Sequence, residues 1–113
     1  MSKTAINYIE FKALDLTTIK EFYSSCFSWE FTDYGPTYIA FSNSGIEGGF
    51  ELTKDSIVNG ALIVLYHTDL ELIQKIVEEK GGRISKPIFF FPGGRRFDFL
   101  DPSGNELAIW SDQ

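Results

Sequence analysis

Hydrophobic and polar positions alternate from Ile6 to Ala13, with Ile9, Phe11 and Ala13 on one side and Tyr8, Glu10 and Lys12 on the other. A period of two predicts a strand with one apolar and one mixed face. After Asp15 the period lengthens: Leu16, Ile19, Phe22, Tyr23 and Cys26 recur at helical spacing behind a carboxylate suited to an N-cap, predicting a helix that ends near Phe27. Three short strands come next, Trp29 to Thr32, Thr37 to Ser42 and Gly48 to Leu52. Asp33-Tyr34-Gly35-Pro36 and Asn43-Ser44-Gly45 separate them with turn chemistry.

From Gly60 the same order begins again. Ala61 to Tyr66 predicts a strand, and Asp69 stands before Leu70, Ile73, Ile76 and Val77, an amphipathic helix closed at Lys80-Gly81-Gly82. Ile88 to Phe91, Arg96 to Leu100 and Glu106 to Trp110 complete the series, divided by Pro92-Gly93-Gly94 and Asp101-Pro102-Ser103-Gly104. Asp15-Leu16 and Asp69-Leu70 open equivalent helices, so the chain is an internal repeat of pattern with little identity. The fold class this predicts is α+β, two tandem βαβββ modules of about 4–54 and 58–112 in one domain, forming a curved mixed sheet around a cavity.

One helix covers one face of a sheet, so each module leaves the other face open. By parity those open faces carry Tyr8, Glu10, Glu51, Leu62, Tyr66, Ala108 and Trp110, aromatic and apolar groups mixed with two carboxylates. Such a composition suits a ligand cavity.

Composition narrows the functional classes. A hydrophobic share of 43% in 113 residues supports a folded core, so the net charge of −6 decorates its surface rather than marking a disordered tail. That charge repels phosphate backbones, and with no basic stripe to offset it nucleic-acid binding is disfavoured. The longest apolar run, Ala61 to Tyr66, is too short to span a membrane, and the N-terminus shows no signal-peptide pattern, so the expected location is cytoplasmic. The single cysteine, Cys26, rules out an intrachain disulfide and reads as core.

Phe91-Pro92-Gly93-Gly94-Arg95-Arg96-Phe97, together with Asp101-Pro102-Ser103-Gly104-Asn105-Glu106-Leu107-Ala108-Ile109-Trp110, resembles the closing hairpin of vicinal-oxygen-chelate proteins. These are the glyoxalase I, extradiol dioxygenase, fosfomycin-resistance and bleomycin-binding proteins. The opening unit, Asn7 to Phe27, resembles theirs too, and the likeness of module order covers nearly the whole chain. Metal-bearing relatives take two ligands from each module, one on its first strand and one on its last. Carried over, this resemblance puts those places at Tyr8, Glu51, Leu62 and Ala108. Only Glu51 is an ordinary hard-metal ligand, so no metal and no other cofactor is expected. A one-residue shift of register would bring Glu10 or His67 into play, which leaves a divalent metal as an open alternative. His67, beside Thr68 and Asp69, reads as a residue at the approach to the second helix.

The expected site therefore has Glu51 and Glu10 as candidate general bases, their proton affinity raised by walls of Tyr8, Tyr66 and Trp110. Tyr8, Leu62, Tyr66, Arg95, Ala108 and Trp110 are the expected substrate-binding residues. Arg95 and Arg96 offer forks for a carboxylate or phosphate, with pairing to Asp98 or Asp101 as the plain alternative. Phe89, Phe90, Phe91, Phe97 and Phe99 divide between core and interface. Gly48-Gly49 is no phosphate loop, since no lysine stands at the needed spacing.

The function expected is that of a glyoxalase- or bleomycin-resistance-like protein that binds or transforms a small organic molecule without the usual metal. The alternatives are a metal-dependent lyase or dioxygenase with a remodelled site around Glu51, and a noncatalytic interaction module. A homodimer is expected, its buried patch supplied by Phe89 to Phe91 or by Trp29 and Phe31.

Overall fold

The computed structural model describes residues 3–113, which form two compact units divided between Asp55 and Ser56. Each unit is a βαβββ module. The first contains β1 (Tyr8–Ala13), α1 (Leu16–Phe27), β2 (Glu30–Asp33), β3 (Tyr38–Ser42) and β4 (Glu47–Leu52). The second contains β5 (Ile63–Tyr66), α2 (Leu70–Glu79), β6 (Arg83–Phe91), β7 (Gly94–Leu100) and β8 (Glu106–Ser111). Their sheets share one topology, β1-β4-β3-β2 and β5-β8-β7-β6, with a parallel pair at one edge and antiparallel pairs elsewhere. A helix between the first and last strands is what a parallel pair needs to close.

Both helices start on their aspartates. Asp15 accepts a hydrogen bond from the Thr18 amide at 2.9 Å, and Asp69 one from the Leu72 amide at 3.1 Å, each satisfying an otherwise orphaned donor. That bond to Thr18 holds the Asp15 carboxyl below its ordinary value. The α1 helix ends where Ser28 turns left-handed at φ 62°.

Core side chains follow the parity of the strands. In the first unit Ala13, Ile39, Phe41 and Phe50 face the α1 residues Ile19, Phe22, Tyr23 and Cys26, all of them buried. Trp29 joins this core, its ring 4.8 Å from Tyr23 and 4.7 Å from Phe41. It precedes β2 rather than opening it, and with 8% of its surface exposed it supplies no interface patch. In the second unit Leu70, Ile73 and Val77 pack against Phe97, Phe99, Leu107 and Ile109. Phe97 and Phe99 are thus core, while Phe90 is exposed.

The last turn of the second unit is built on a buried carboxylate. Asp101 accepts from the amides of Ser103, Gly104 and Asn105 at 2.9 to 3.0 Å and from the Asn105 side chain at 3.0 Å. Gly104 there has φ 107°, a conformation that favours glycine.

The expected strand at Ile88 to Phe91 starts five residues earlier, at Arg83. Register shifts fall between Ile84 and Lys86 and between Lys86 and Phe89, the second of them spanning Pro87. As an edge strand, β6 accommodates a residue that has no amide hydrogen to give.

Candidate functional site

On the open face of the first sheet, Tyr8, Glu10 and Lys12 of β1 stand beside Glu47, Gly49 and Glu51 of β4, and these beside Tyr38 and Ala40 of β3. Tyr38 is the hub. Its hydroxyl donates to Glu10 Oε1 at 3.0 Å and lies 2.6 Å from the Tyr8 hydroxyl. With its one proton given to Glu10, Tyr38 accepts from Tyr8. Lys12 Nζ then ties the carboxylates together, bonding Glu51 Oε1 and lying 3.6 Å from Glu10 Oε2.

The phenol reaches so far across the sheet because position 49 carries no side chain. A Cβ there would stand 2.3 Å from the Tyr38 oxygen and 2.6 Å from its ring. Burial pushes the Tyr38 hydroxyl far above its ordinary value of 10.0, and its bonds to Tyr8 and Glu10 add to that shift. Lys12 is likewise raised, first by its bond to Glu51. Both charged partners of Lys12 are about half exposed, at 44% for Glu10 and 49% for Glu51. Beside the network opens a cavity of about 450 Å³, lined by Tyr8, Thr32, Tyr34, Tyr38, Ser42 and Glu47 among others.

In the second unit Tyr66 and Trp110 are register partners on one face, with ring centroids 5.1 Å apart. The Tyr66 hydroxyl donates to Asp112 Oδ1 at 2.5 Å, which raises the phenol above its ordinary value and lowers the Asp112 carboxyl below its own. Val64 pairs with Ala108 on that face, and Ala108 is fully buried. Leu62 lies just before β5 with 38% of its surface exposed. Arg95 is elsewhere. It pairs with Ser111 on the α2 side of the sheet and grips Glu71 with both terminal nitrogens, Nη2 at 2.8 Å from Oε1, while Nε reaches the Gln113 carbonyl at 3.2 Å. That clamp holds the Glu71 carboxyl below its ordinary value. Arg96, one residue on, faces the side of Trp110 and ion-pairs with Asp98. His67 accepts a hydrogen bond from the Asp69 amide through Nδ1 at 3.0 Å.

The structure thus gathers Tyr8, Glu10 and Glu51 in one cluster and Tyr66, Ala108 and Trp110 on one face of the second sheet, and it puts Arg95 on the opposite face of that sheet. Sequence parity found the two faces but missed Tyr38 and the bridging part of Lys12. A signal for Tyr38 was present in Gly49, since glycine inside a strand marks close approach by another group.

A family model described as the Glyoxalase/Bleomycin resistance protein/Dioxygenase superfamily matches residues 5–109. The chain belongs to this superfamily. Its fold is shared with a glyoxalase/bleomycin resistance protein/dioxygenase family enzyme from Burkholderia phytofirmans PsJN, at TM-score 0.83 and 13% identity over 95% of this chain and 98% of that one. Lactoylglutathione lyase from Agrobacterium tumefaciens is similar at TM-score 0.76 and 16% identity, over 98% and 96%. A glyoxalase/bleomycin resistance protein from Albidiferax ferrireducens T118 is similar at TM-score 0.75 and 13% identity, over 94% and 97%. No curated protein matches the sequence.

The superfamily's metal can be tested against the side chains at the four positions to which the resemblance carries its ligands. Leu62 and Ala108 have no donor atom, the Tyr8 oxygen is engaged by Tyr38, and Glu51 is paired with Lys12. This set does not fit a divalent ion, which needs three or more protein ligands in such a site. Among the described residues, no group of three or more His, Cys, Asp or Glu side chains could hold one.

Proposed function

We propose that this member of the superfamily binds a small organic molecule in the groove beside Tyr8 and Tyr38 without the family's metal. The observation that carries the reading is the hydrogen-bonded run from Tyr8 through Tyr38 to Glu10, which Lys12 meets as an ion pair, standing at the edge of a cavity of about 450 Å³. Ligand sites are typically concave, with a few fixed polar groups among aromatic walls. Because Tyr8 gives its proton to Tyr38, its oxygen presents lone pairs to the groove, where Glu47 adds a carboxylate. The fitting ligand is one that brings hydroxyl or amino hydrogens.

Binding is favoured over base catalysis because Lys12 already engages both carboxylates that would take a proton, Glu10 and Glu51. A metal-dependent lyase is the second reading, lyase being the activity named for the A. tumefaciens neighbour, and the donor-free Leu62 and Ala108 weigh against the metal. We further take the chain to be cytoplasmic and to pair as a homodimer, whose mass sedimentation equilibrium would report.

The test is a thermal-shift screen of hydroxylated and amino compounds with EDTA present, repeated on Tyr8→Phe and Tyr38→Phe. A stabilising compound that loses its effect in either variant supports the groove. Stabilisation that vanishes with chelator, or a hemithioacetal turned over only with added metal, would establish the lyase instead.

A further inference from the structure

The open face of the second sheet carries a cross-strand row that the groove of the first unit does not use. Phe89 pairs with Arg96, Arg96 with Trp110, and Trp110 with Tyr66, so one row crosses all four strands. Paired residues share a face, which places a guanidinium between aromatic rings.

Arg96 is fixed from two sides. Its guanidinium lies 5.0 Å from the centroid of the Phe89 ring, and its Nε lies 3.2 Å from Oδ1 of Asp98. Asp98 itself is 2% exposed, and neither that Nε nor that Oδ1 reaches hydrogen-bond geometry. Among the described residues neither terminal nitrogen of Arg96 donates a hydrogen bond, and the indole N–H of Trp110 has no acceptor. Donors this well placed and unspent are a fork for a planar oxyanion.

Lys86 approaches the same carboxylate, Nζ lying 4.0 Å from Asp98 Oδ2, so two cations surround one buried anion. At the margins Glu106 accepts from Ser85, and Asp112 from Tyr66 and Gln113. Next to the fork, the rings of Trp110, Tyr66 and Phe91 make an apolar strip, with Phe91 6.3 Å and Tyr66 5.1 Å from Trp110. Ala108, in the neighbouring row beside Asp98, keeps the floor low.

We propose that Arg96, braced by Asp98 and Phe89, forms with Trp110 a site for an aromatic carboxylate, the carboxylate on the guanidinium fork and the ring along Trp110 and Tyr66. This site is built from residues of the second unit alone and does not rest on the reading of the Tyr8 and Tyr38 groove.

The experiment is an NMR titration of the ¹⁵N-labelled full chain with benzoate, and in parallel with benzamide and with acetate. Benzoate is expected to shift the Arg96 Nε–H and Trp110 indole N–H resonances saturably. Benzamide, lacking the charge, and acetate, lacking the ring, should each bind roughly tenfold more weakly or worse. Arg96→Gln should abolish saturation. Should that variant unfold for want of a partner to Asp98, Arg96→Lys keeps the charge without the fork and is expected to bind benzoate roughly tenfold more weakly. Arg83→Gln, which removes an exposed cation at the start of β6, should bind as the parent does. Equal binding of benzoate and benzamide, or undiminished binding by the folded Arg96→Lys protein, would overturn the proposal.

Discussion

Tyr38 lies across Gly49, its phenol oxygen 2.3 Å from where a Cβ would project. One missing side chain on β4 thereby lets a residue of β3 reach two residues of β1, joining Tyr8 and Glu10 through a single hydroxyl. Gly49→Ala should displace the ring and break that junction while leaving the helix-facing core intact. We expect a loss of about 1–3 kcal/mol in urea unfolding, typical of overpacking. Gly48→Ala should cost more, because its Cβ would meet the Ile9 carbonyl oxygen at 2.0 Å, and backbone cannot swing aside.

Tyr38→Phe keeps the ring and removes the hub. Tyr38 and Tyr66 hold their protons above the ordinary value of 10.0. A folded value above the unfolded one means that the contribution to stability is complete below pH 10 and is lost as pH rises through the folded value. Ultraviolet titration of the parent should show late-ionising tyrosines, and Tyr38→Phe should lose one of them. It should also flatten the decline in stability above pH 10. An unchanged late portion of the titration curve would mean that Tyr38 is not among the late-ionising tyrosines.

Repeat, caps and turns were legible in the sequence because each rests on local chemistry: Asp15 and Asp69 before apolar stripes, glycine and proline at the strand breaks. The two open faces were legible through parity, which put Tyr8, Glu10, Tyr66 and Trp110 on the correct side. Reach across strands is not a local property. Nothing in the order of residues says that Tyr38 would lie flat over Gly49, or that Lys12 would turn to Glu51 rather than to solvent. Arg95 and Arg96 were seen as a pair, yet alternation sends them to opposite faces, and α2 offered Glu71 to the first of them. The early part of β6 was hidden by Pro87, which argues against a strand until the bulges at an edge are known.

Acid should weaken both modules through different carboxylates. Asp15 is held below 3.8 by the Thr18 amide, and Glu71 below 4.5 by Arg95. Lowered folded values give stability that is complete above those ordinary values and lost as pH falls through the depressed ones. Asp15→Asn retains a capping oxygen but does not titrate. Its thermal midpoint should therefore fall less steeply than that of the parent on acidification below pH 4, and parallel curves would refute the assignment.

Asp101→Ala should be the most damaging single change in the second unit's turns, since inside a site only 4% exposed it strips the Ser103 and Asn105 amides of this carboxylate acceptor and leaves the Gly104 amide only the residue 101 carbonyl. Roughly 3 kcal/mol of stability is expected to go, by denaturant unfolding of the whole chain. Asp101→Asn, which keeps one oxygen for those amides, should recover part of it.

The central claim, ligand binding at the Tyr8 and Tyr38 groove without a metal, is tested most directly by mapping ¹⁵N chemical shifts when a hydroxyl- or amino-bearing compound that stabilises the protein is added in EDTA. Shifts concentrated at Tyr8, Thr32, Tyr38 and Glu47, unchanged by chelator and absent in Tyr38→Phe, are the predicted result. Shifts that appear only when a divalent metal replaces the chelator would contradict it.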